Sequence, residues 1–379
     1  MGRTILEIFE EIPEPRKGNG IRHKLIDVIS IGILATLCDF TAYTEMELYA
    51  QEKEEWLRTF LELPNGIPSH DTIGDIFAAI SSDALHRCFA EWVETIREAI
   101  SGEIVAVDGK TLRRSKDKQK GLKPLHVVSA WANQNRLVLG EIATEEKSNE
   151  ITAIPALLKL LNIKGCIVTI DAMGTQKEIA KTIIKEGGNY VLALKENHRD
   201  FYEDVQLYFK EEILPQNKFD LEKDGRYAKA TEKSHGRYET RECYLSSEID
   251  WLENRKDWEK LRGIGLIIST RQIAGELEIS TNMHYFIYSA DMSAQSLLHA
   301  KRSHWGIENS LHWSLDMLLR EDESRVRTGN AAENLNVLRH LALNLVRNET
   351  SVKSSMRLKL KRCSLSNDYL LKVLGVTVW

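Results

Sequence analysis

The sequence predicts an α/β protein: a three-layer α/β/α arrangement on a mixed sheet, an all-helical segment before it, and a β-rich insertion within it. Three observations predict this. Residues up to about Gly102 keep helical apolar spacing. Ile104-Val105-Ala106-Val107 and Cys166-Ile167-Val168-Thr169-Ile170 are short apolar runs, the pattern of strands buried on both faces. From about Glu211 to Asp291, acids, aromatics and short β-like runs replace the regular alternation of strand and helix.

Composition sets the outer bounds. A chain of 379 residues exceeds the usual size of one core, so two or three units are expected. Apolar content of 42% with 28% charged residues fits a soluble globular protein. The longest apolar run, Val28 to Cys38, is too short to span a bilayer. The stretch Met1 to Glu7 turns acidic at once and lacks a signal-peptide apolar region, so the cytoplasm is expected and no membrane partner. Five cysteines, odd in number and without a Cys-x-x-Cys pair, indicate neither a disulfide framework nor a zinc ribbon. A net charge of −5 excludes a globally basic nucleic-acid binder but allows a local basic face. Lys110 to Lys123 carries seven bases against Asp117, and Lys353 to Arg362 carries five bases and no acid.

Taken in order, the chain divides at 1–102 (helical), 103–210 (sheet core, first part), 211–291 (β-rich insertion), 292–350 (core, last part) and 351–379 (basic tail). Thr4 to Phe9, Lys24 to Phe40 and Thr44 to Leu61 read as helices. After the turn Pro64-Asn65-Gly66-Ile67-Pro68, Ser69 has the position of an N-cap. A turn leading into such a helix start is compatible with a helix-turn-helix reader or with a plain helical bundle. Strands are predicted at 104–108, 125–131 and 136–142 as an antiparallel meander, then at 166–171 and 190–194. A helical crossover joins the last two, which should therefore be parallel. Residues 223–236 read as a polar loop. Leu297 to Asp322 reads as a helix with Leu297, Leu298, Trp305, Leu311, Leu315, Leu318 and Leu319 near one stripe and Glu308 inside it. Asn330 with Glu333 has the form of a capping box for the helix that follows.

Two strands end in aspartate: Val107-Asp108-Gly109 and Ile170-Asp171-Ala172. Each acid also has a structural reading, Asp108 as a turn residue before glycine and Asp171 as a helix cap. If both strands are central, both carboxylates emerge together, and Glu308 comes from a helix packed on that sheet. Three converging carboxylates repel one another unless a cation neutralises them. All-oxygen ligation favours Mg²⁺ or Mn²⁺ over zinc. A rival set lies within the helix, where His304, Glu308 and His312 are spaced by four, as for zinc or iron.

The sequence resembles DDE transposases of bacterial insertion sequences, specifically the H-repeat-associated group. The resemblance spans nearly the whole chain. It rests on Pro64 through Thr72, Val107-Asp108-Gly109-Lys110-Thr111-Leu112-Arg113, Glu146 through Ile151, Thr169-Ile170-Asp171-Ala172 and His235-Gly236-Arg237 with Glu239 and Arg241. It continues through His304 to Trp313 and Glu321-Asp322 with Arg325, Arg327 and Thr328-Gly329-Asn330. It implies a ribonuclease-H-like catalytic domain with Asp108, Asp171 and Glu308 as acids and metal ligands, and a β-rich insertion before the last acid. It implies metal-dependent strand cleavage at element ends and strand transfer into target DNA. Double-stranded DNA is the implied partner, with the helical segment 1–102 expected to bind the element end, and a homodimer is expected in the active complex. Lys110, Arg113, Arg114 and Lys195 are expected at phosphates, with Lys301, Arg302, His304 and His312 as further DNA-side candidates. Many relatives carry Tyr, Arg and Lys seven before, four before and seven after the last acid. Here those positions are Lys301, His304 and Leu315, so those roles do not transfer. Two other readings stay open: a DNA-binding remnant without activity, and a nuclease of the same fold that cuts without joining.

Overall fold

The computed structural model describes residues 3–18, 21–116, 123–144, 150–234, 236–273 and 278–375. Part of the first basic run, Glu146 to Asn149 and His235 lie outside the described residues. The chain forms two compact units. One comprises Met1–Ala99, Gly109–Ala153 and Glu308–Trp379, the other Ile100–Asp108 and Ile154–Ile307.

The first unit begins with helices. In α1 (Ile5–Phe9), Thr4 Oγ1 accepts from Glu7 N while Glu7 accepts from Thr4 N, a reciprocal cap. α2 (Leu25–Leu37) is apolar all round and accordingly buried all round. The single helix expected over 44–61 is instead α3 (Tyr43–Glu52) and α4 (Glu54–Leu57). The break falls at Lys53, whose ammonium donates to Asn367 at 2.9 Å, a tertiary contact no local pattern announces. α5 (His70–Ala79) starts at the expected cap, where Ser69 accepts from Thr72 N at 3.3 Å. α6 (Ser82–Ile96) follows.

β1 (Ile104–Thr111) is divided between the units at Asp108 and Gly109. In the first unit it is followed by β2 (His126–Ala132) and β3 (Leu137–Thr144), paired antiparallel as the meander predicts. The strand order there is β3-β2-β1.

α7 (Glu150–Leu160) leads into β4 (Ile167–Ile170), α8 (Lys177–Lys185), β5 (Asn189–Leu194) and α9 (Arg199–Tyr208). Then come α10 (Lys218–Lys223), β6 (Tyr227–Ser234), β7 (Arg237–Ser246), β8 (Gly263–Ile273) and β9 (Ile279–Tyr288). In the second unit the order is β1-β4-β5-β9-β8-β7-β6. β1, β4 and β5 are parallel, and β9 returns antiparallel to β5. The insertion therefore extends the same sheet. β6 corrects the expected loop at 223–236. Its outer half alternates between polar side chains on both faces, which leaves no apolar period to read.

α11 (Ala294–Gly306) lays Ala294, Leu297 and Leu298 on the sheet, against Val191, Leu245, Ile267 and Phe286. A π-helical segment, Ile307–His312, follows, then α12 (Trp313–Leu319). α13 (Ala331–Asn348) is the axis of the first unit and packs on α2, α5, α6 and β3. Its buried amides reach outward: Asn334 donates to Phe77 O at 2.8 Å, and Asn344 exchanges two bonds with Val138. The expected capping box is corrected. Asn330 spends its amide on Ile80 O at 2.8 Å, and Glu333 stands 3.5 Å from His86. The expected basic tail folds as α14 (Met356–Leu365) and α15 (Asn367–Leu374) on α13. No described helix is long and apolar enough to cross a membrane.

Candidate active site at the strand ends

β1 and β4 place two of the predicted acids. Val107 pairs with Ile170 at the end of the parallel register, and Asp108 and Asp171 are the next residue of each strand. Four buried residues lead into Asp108, as expected of a strand covered on both faces, but the expected end at Asp108 is corrected: β1 runs on to Thr111, and it is the parallel pairing with β4 that ends at Val107. Beyond Asp108, glycine is required. A Cβ on Gly109 would stand 2.3 Å from Glu150 Oε1 and 2.5 Å from His126 Nε2.

Asp171 shapes its own turn. Its Oδ1 accepts from Met173 N at 3.1 Å and Gly174 N at 3.2 Å, which ends β4 and directs the chain toward α8. Thr175 Oγ1 donates to Ala193 O at 2.6 Å, and Asn197 donates to Ala172 O at 2.8 Å, so the turn is tied to the end of β5. The helix-cap reading of Asp171 is therefore corrected: α8 begins after Gln176 without a side-chain cap, and Asp171 closes the preceding turn with one oxygen. Oδ2 has no hydrogen-bond partner and the carboxylate no ion pair among the described residues.

A cavity of about 590 Å³ opens beyond the ends of β4 and β5, lined by Met173, Lys195, Asn197, Tyr202 and His284 among others. Ligands of parallel sheets bind beyond the carboxyl ends of strands. Lys195 is exposed there. Burial, then the charges of Lys301 and Lys195, push His284 down to about 4, so it is neutral at pH 7.

His304 is fixed by a 3.0 Å bond between Nδ1 and Thr169 Oγ1. Burial holds its pKa below the usual value, although the Asp171 charge and Thr169 pull the other way. Lys301 falls to about 8 through burial, then the Arg241 charge, with Glu239 opposing. Arg302 is paired with Glu232.

The expected Glu308 stripe needs correction. Glu308 is exposed and Ile307 is buried, because the wider π turn shifts which residue meets the core. Burial then recurs at Leu311, Leu315 and Leu319, while Trp305 is 60% exposed. By its contacts Glu308 belongs to the first unit, two residues after α11 ends.

In that unit Lys110 is held between Asp316 at 2.5 Å and the buried Glu321. Burial opposes its charge, but the two carboxylates outweigh burial and raise its pKa. It is therefore engaged within the protein, unlike a solvent-facing phosphate contact. Arg113 is exposed and pairs loosely with Asp322 at 3.3 Å, and the Arg114 carbonyl accepts from Arg327 at 3.1 Å. Burial, then the charges of Lys110 and His340, push His312 down to about 3.

A cation beside His312 and the His304–Thr169 bond both count against the zinc set His304, Glu308 and His312. Among the described residues no three His, Cys, Asp or Glu side chains form a metal-holding group. The two strand-end aspartates do offer the oxygen donors that a hard divalent cation takes, and Asp171 has one oxygen uncommitted. Sequence reading missed Thr169 as the partner of His304. It also missed the buried His126–Glu150 pair at 2.6 Å, although a histidine opening an apolar strand signals a buried polar partner.

Comparison with known proteins bears on this arrangement. The family model described as "Transposase DDE domain" matches residues 100–345, and one described as "DDE_Tnp_1-associated" matches residues 6–93. "Putative transposase YncI" of Escherichia coli O157:H7 is 38% identical over 375 residues, covering 98% of this chain and 95% of its own. "H repeat-associated putative transposase YhhI" of Escherichia coli strain K12 is 36% identical over 378 residues, covering 98% of each. A solved piggyBac transposase synaptic complex with hairpin DNA aligns over 98% of this chain and 78% of its own, with TM-score 0.42 and 12% identity, too distant to bear on function.

Proposed function

The chain belongs to the family of transposases carrying the DDE domain, and from that premise we propose that it cuts DNA strands at the ends of an insertion element and joins them to target DNA. The observation that carries this reading is the register of β1 and β4, which gives adjacent parallel strands an aspartate at the same step. Asp108 and Asp171 would hold Mg²⁺ or Mn²⁺, and the third acid that the sequence resemblance implies is Glu308. A bound divalent ion lowers the pKa of the attacking water or 3′-hydroxyl and stabilises the leaving oxygen.

The chain's own residues do the positioning. Asp171 commits Oδ1 to two backbone amides, which fixes its carboxylate and leaves Oδ2 available as a donor that would hold a divalent cation. His304, neutral and tied to Thr169, braces α11 against β4 beside Asp171. Lys195, Arg113 and Arg114 meet DNA phosphates, contacts that fix position without reading sequence. Lys110 acts indirectly, by holding the segment after Asp108 to Asp316 and Glu321.

The test is a cleavage assay on a supercoiled plasmid carrying the gene with its native flanking DNA, in Mg²⁺ or Mn²⁺. Wild type should release 3′-hydroxyl ends and form joined products, and Asp108→Asn should bind the plasmid and do neither. Full cleavage by Asp108→Asn sinks the assignment. Binding without cleavage by wild type identifies an inactive remnant, and cleavage without joining identifies a nuclease.

A further inference from the structure

The first unit contains a second polar recess, whose lining residue Arg327 donates to the Arg114 carbonyl at 3.1 Å. A groove of about 1030 Å³ runs between the starts of α3 and α5 and the stretch from Arg320 to Gly329 that leads into α13. Four arginines line it: Arg320, Arg325, Arg327 and Arg339. Its carboxylates are Glu45, Asp71, Asp75 and Glu323. Glu45 is occupied by the Thr41 and Ala42 amides at 2.8 and 2.9 Å. Asp71 lies 3.6 Å from His70.

Two donors in this groove lack acceptors. Arg339 is only 3% exposed. Its Nε donates to Leu319 O at 3.2 Å, and its other two nitrogens make no hydrogen bond among the described residues. The Tyr43 hydroxyl, close enough to feel the Arg339 charge, is buried and has no hydrogen-bond partner among the described residues. Arg339 lines the groove, with the Glu321 charge nearby favouring its cationic form, and a planar fork of donors matches the oxygens of a phosphate. The groove wall is held rigidly. Gly329 has φ +50°, a Cβ there would stand 2.6 Å from Ala78 O, and Asn330 N donates to that same carbonyl at 3.0 Å.

We propose that this groove is a docking site for the DNA backbone, with a phosphate seated on Arg339 and Tyr43 and flanking phosphates met by Arg320 and Arg325. The site rests on the transposase reading, because it takes DNA as its ligand. It lies on residues that contribute nothing to the strand-end acids and can be lost without them.

The experiment uses the full-length protein and a fluorescein-labelled random-sequence DNA duplex, titrated by fluorescence anisotropy at several salt concentrations. The variants are Tyr43→Phe, which keeps the ring, and Arg325→Gln, at an exposed position. The double variant should melt at the wild-type temperature, bind the duplex about 10-fold more weakly, and show a salt slope reduced by about 1. Unchanged affinity and slope overturn the groove and leave the transposase reading standing. Failure of wild type to bind duplex overturns both. Poly-glutamate binding that the double variant loses, with duplex binding unchanged, assigns the groove to an acidic protein partner and overturns the proposal.

Discussion

The carboxylates that pack the first unit and Asp171 in the second are held in opposite ways. In the first unit, carboxylates inside the fold come with resident cations or histidines: the half-buried Asp316 and the buried Glu321 share Lys110, Glu150 meets His126 at 2.6 Å, and Glu141 meets His340 at 2.5 Å. In the second, Asp171 at the end of β4 has two backbone amides and no ion pair among the described residues. An acid that brings its own counter-charge is doing structural work. An acid left open at a strand end, beside a cavity, is available to a counter-charge from outside the chain.

Substitutions can break this contrast from either side. The largest expected effect is on catalysis: Asp171→Asn should lower metal-dependent strand cleavage by on the order of 10³-fold while the melting temperature stays near that of wild type. A variant that melts early would mark Asp171 as structural. Lys110→Met should do the reverse. It strands the buried Glu321 beside Asp316, so chemical denaturation should show a loss of about 3–5 kcal/mol. Stability near wild type would show that Lys110 is not the resident cation of this cluster.

Acid should act on the first unit before it acts on the carboxylates. His312 is held near 3 against an ordinary 6.5. The unfolded chain therefore binds a proton that the folded chain refuses, and stability should fall as pH drops from about 6.5 toward about 3. His312→Gln should flatten that slope in urea melts taken across the window, and an unchanged slope would remove His312 from it. The smallest effect is expected at the rim. Arg113→Ala breaks an exposed pair with Asp322 and should shift stability by no more than about 0.5 kcal/mol. The same change should reduce the salt slope of duplex binding by about 1.

Sequence legibility divides along the same line. The two aspartates were readable because a strand covered on both faces leaves an apolar lead-in; the first acid marks the end of β4 at Asp171, whereas β1 continues past Asp108 to Thr111. The parallel relation of β4 and β5 followed from the crossover helix. What stayed hidden depends on tertiary contacts. The π-helical turn that exposes Glu308 and buries Ile307 has no local signature beyond Gly306. The break at Lys53 rests on Asn367, more than three hundred residues away in the chain. β6 escaped because neither of its faces carries an apolar period. Lys110 looked like one more base in a basic run, and only the positions of Asp316 and Glu321 separate it from Arg113.

The most direct test is Mn²⁺ binding followed by electron paramagnetic resonance, comparing wild type with Asp171→Asn and Asp316→Asn. Wild type and Asp316→Asn should bind Mn²⁺ alike, and Asp171→Asn should bind at least about tenfold more weakly, because only Asp171 lacks a resident counter-charge. Equal binding by wild type and Asp171→Asn, or a loss confined to Asp316→Asn, would contradict the division between acids that hold the fold and acids that hold the metal.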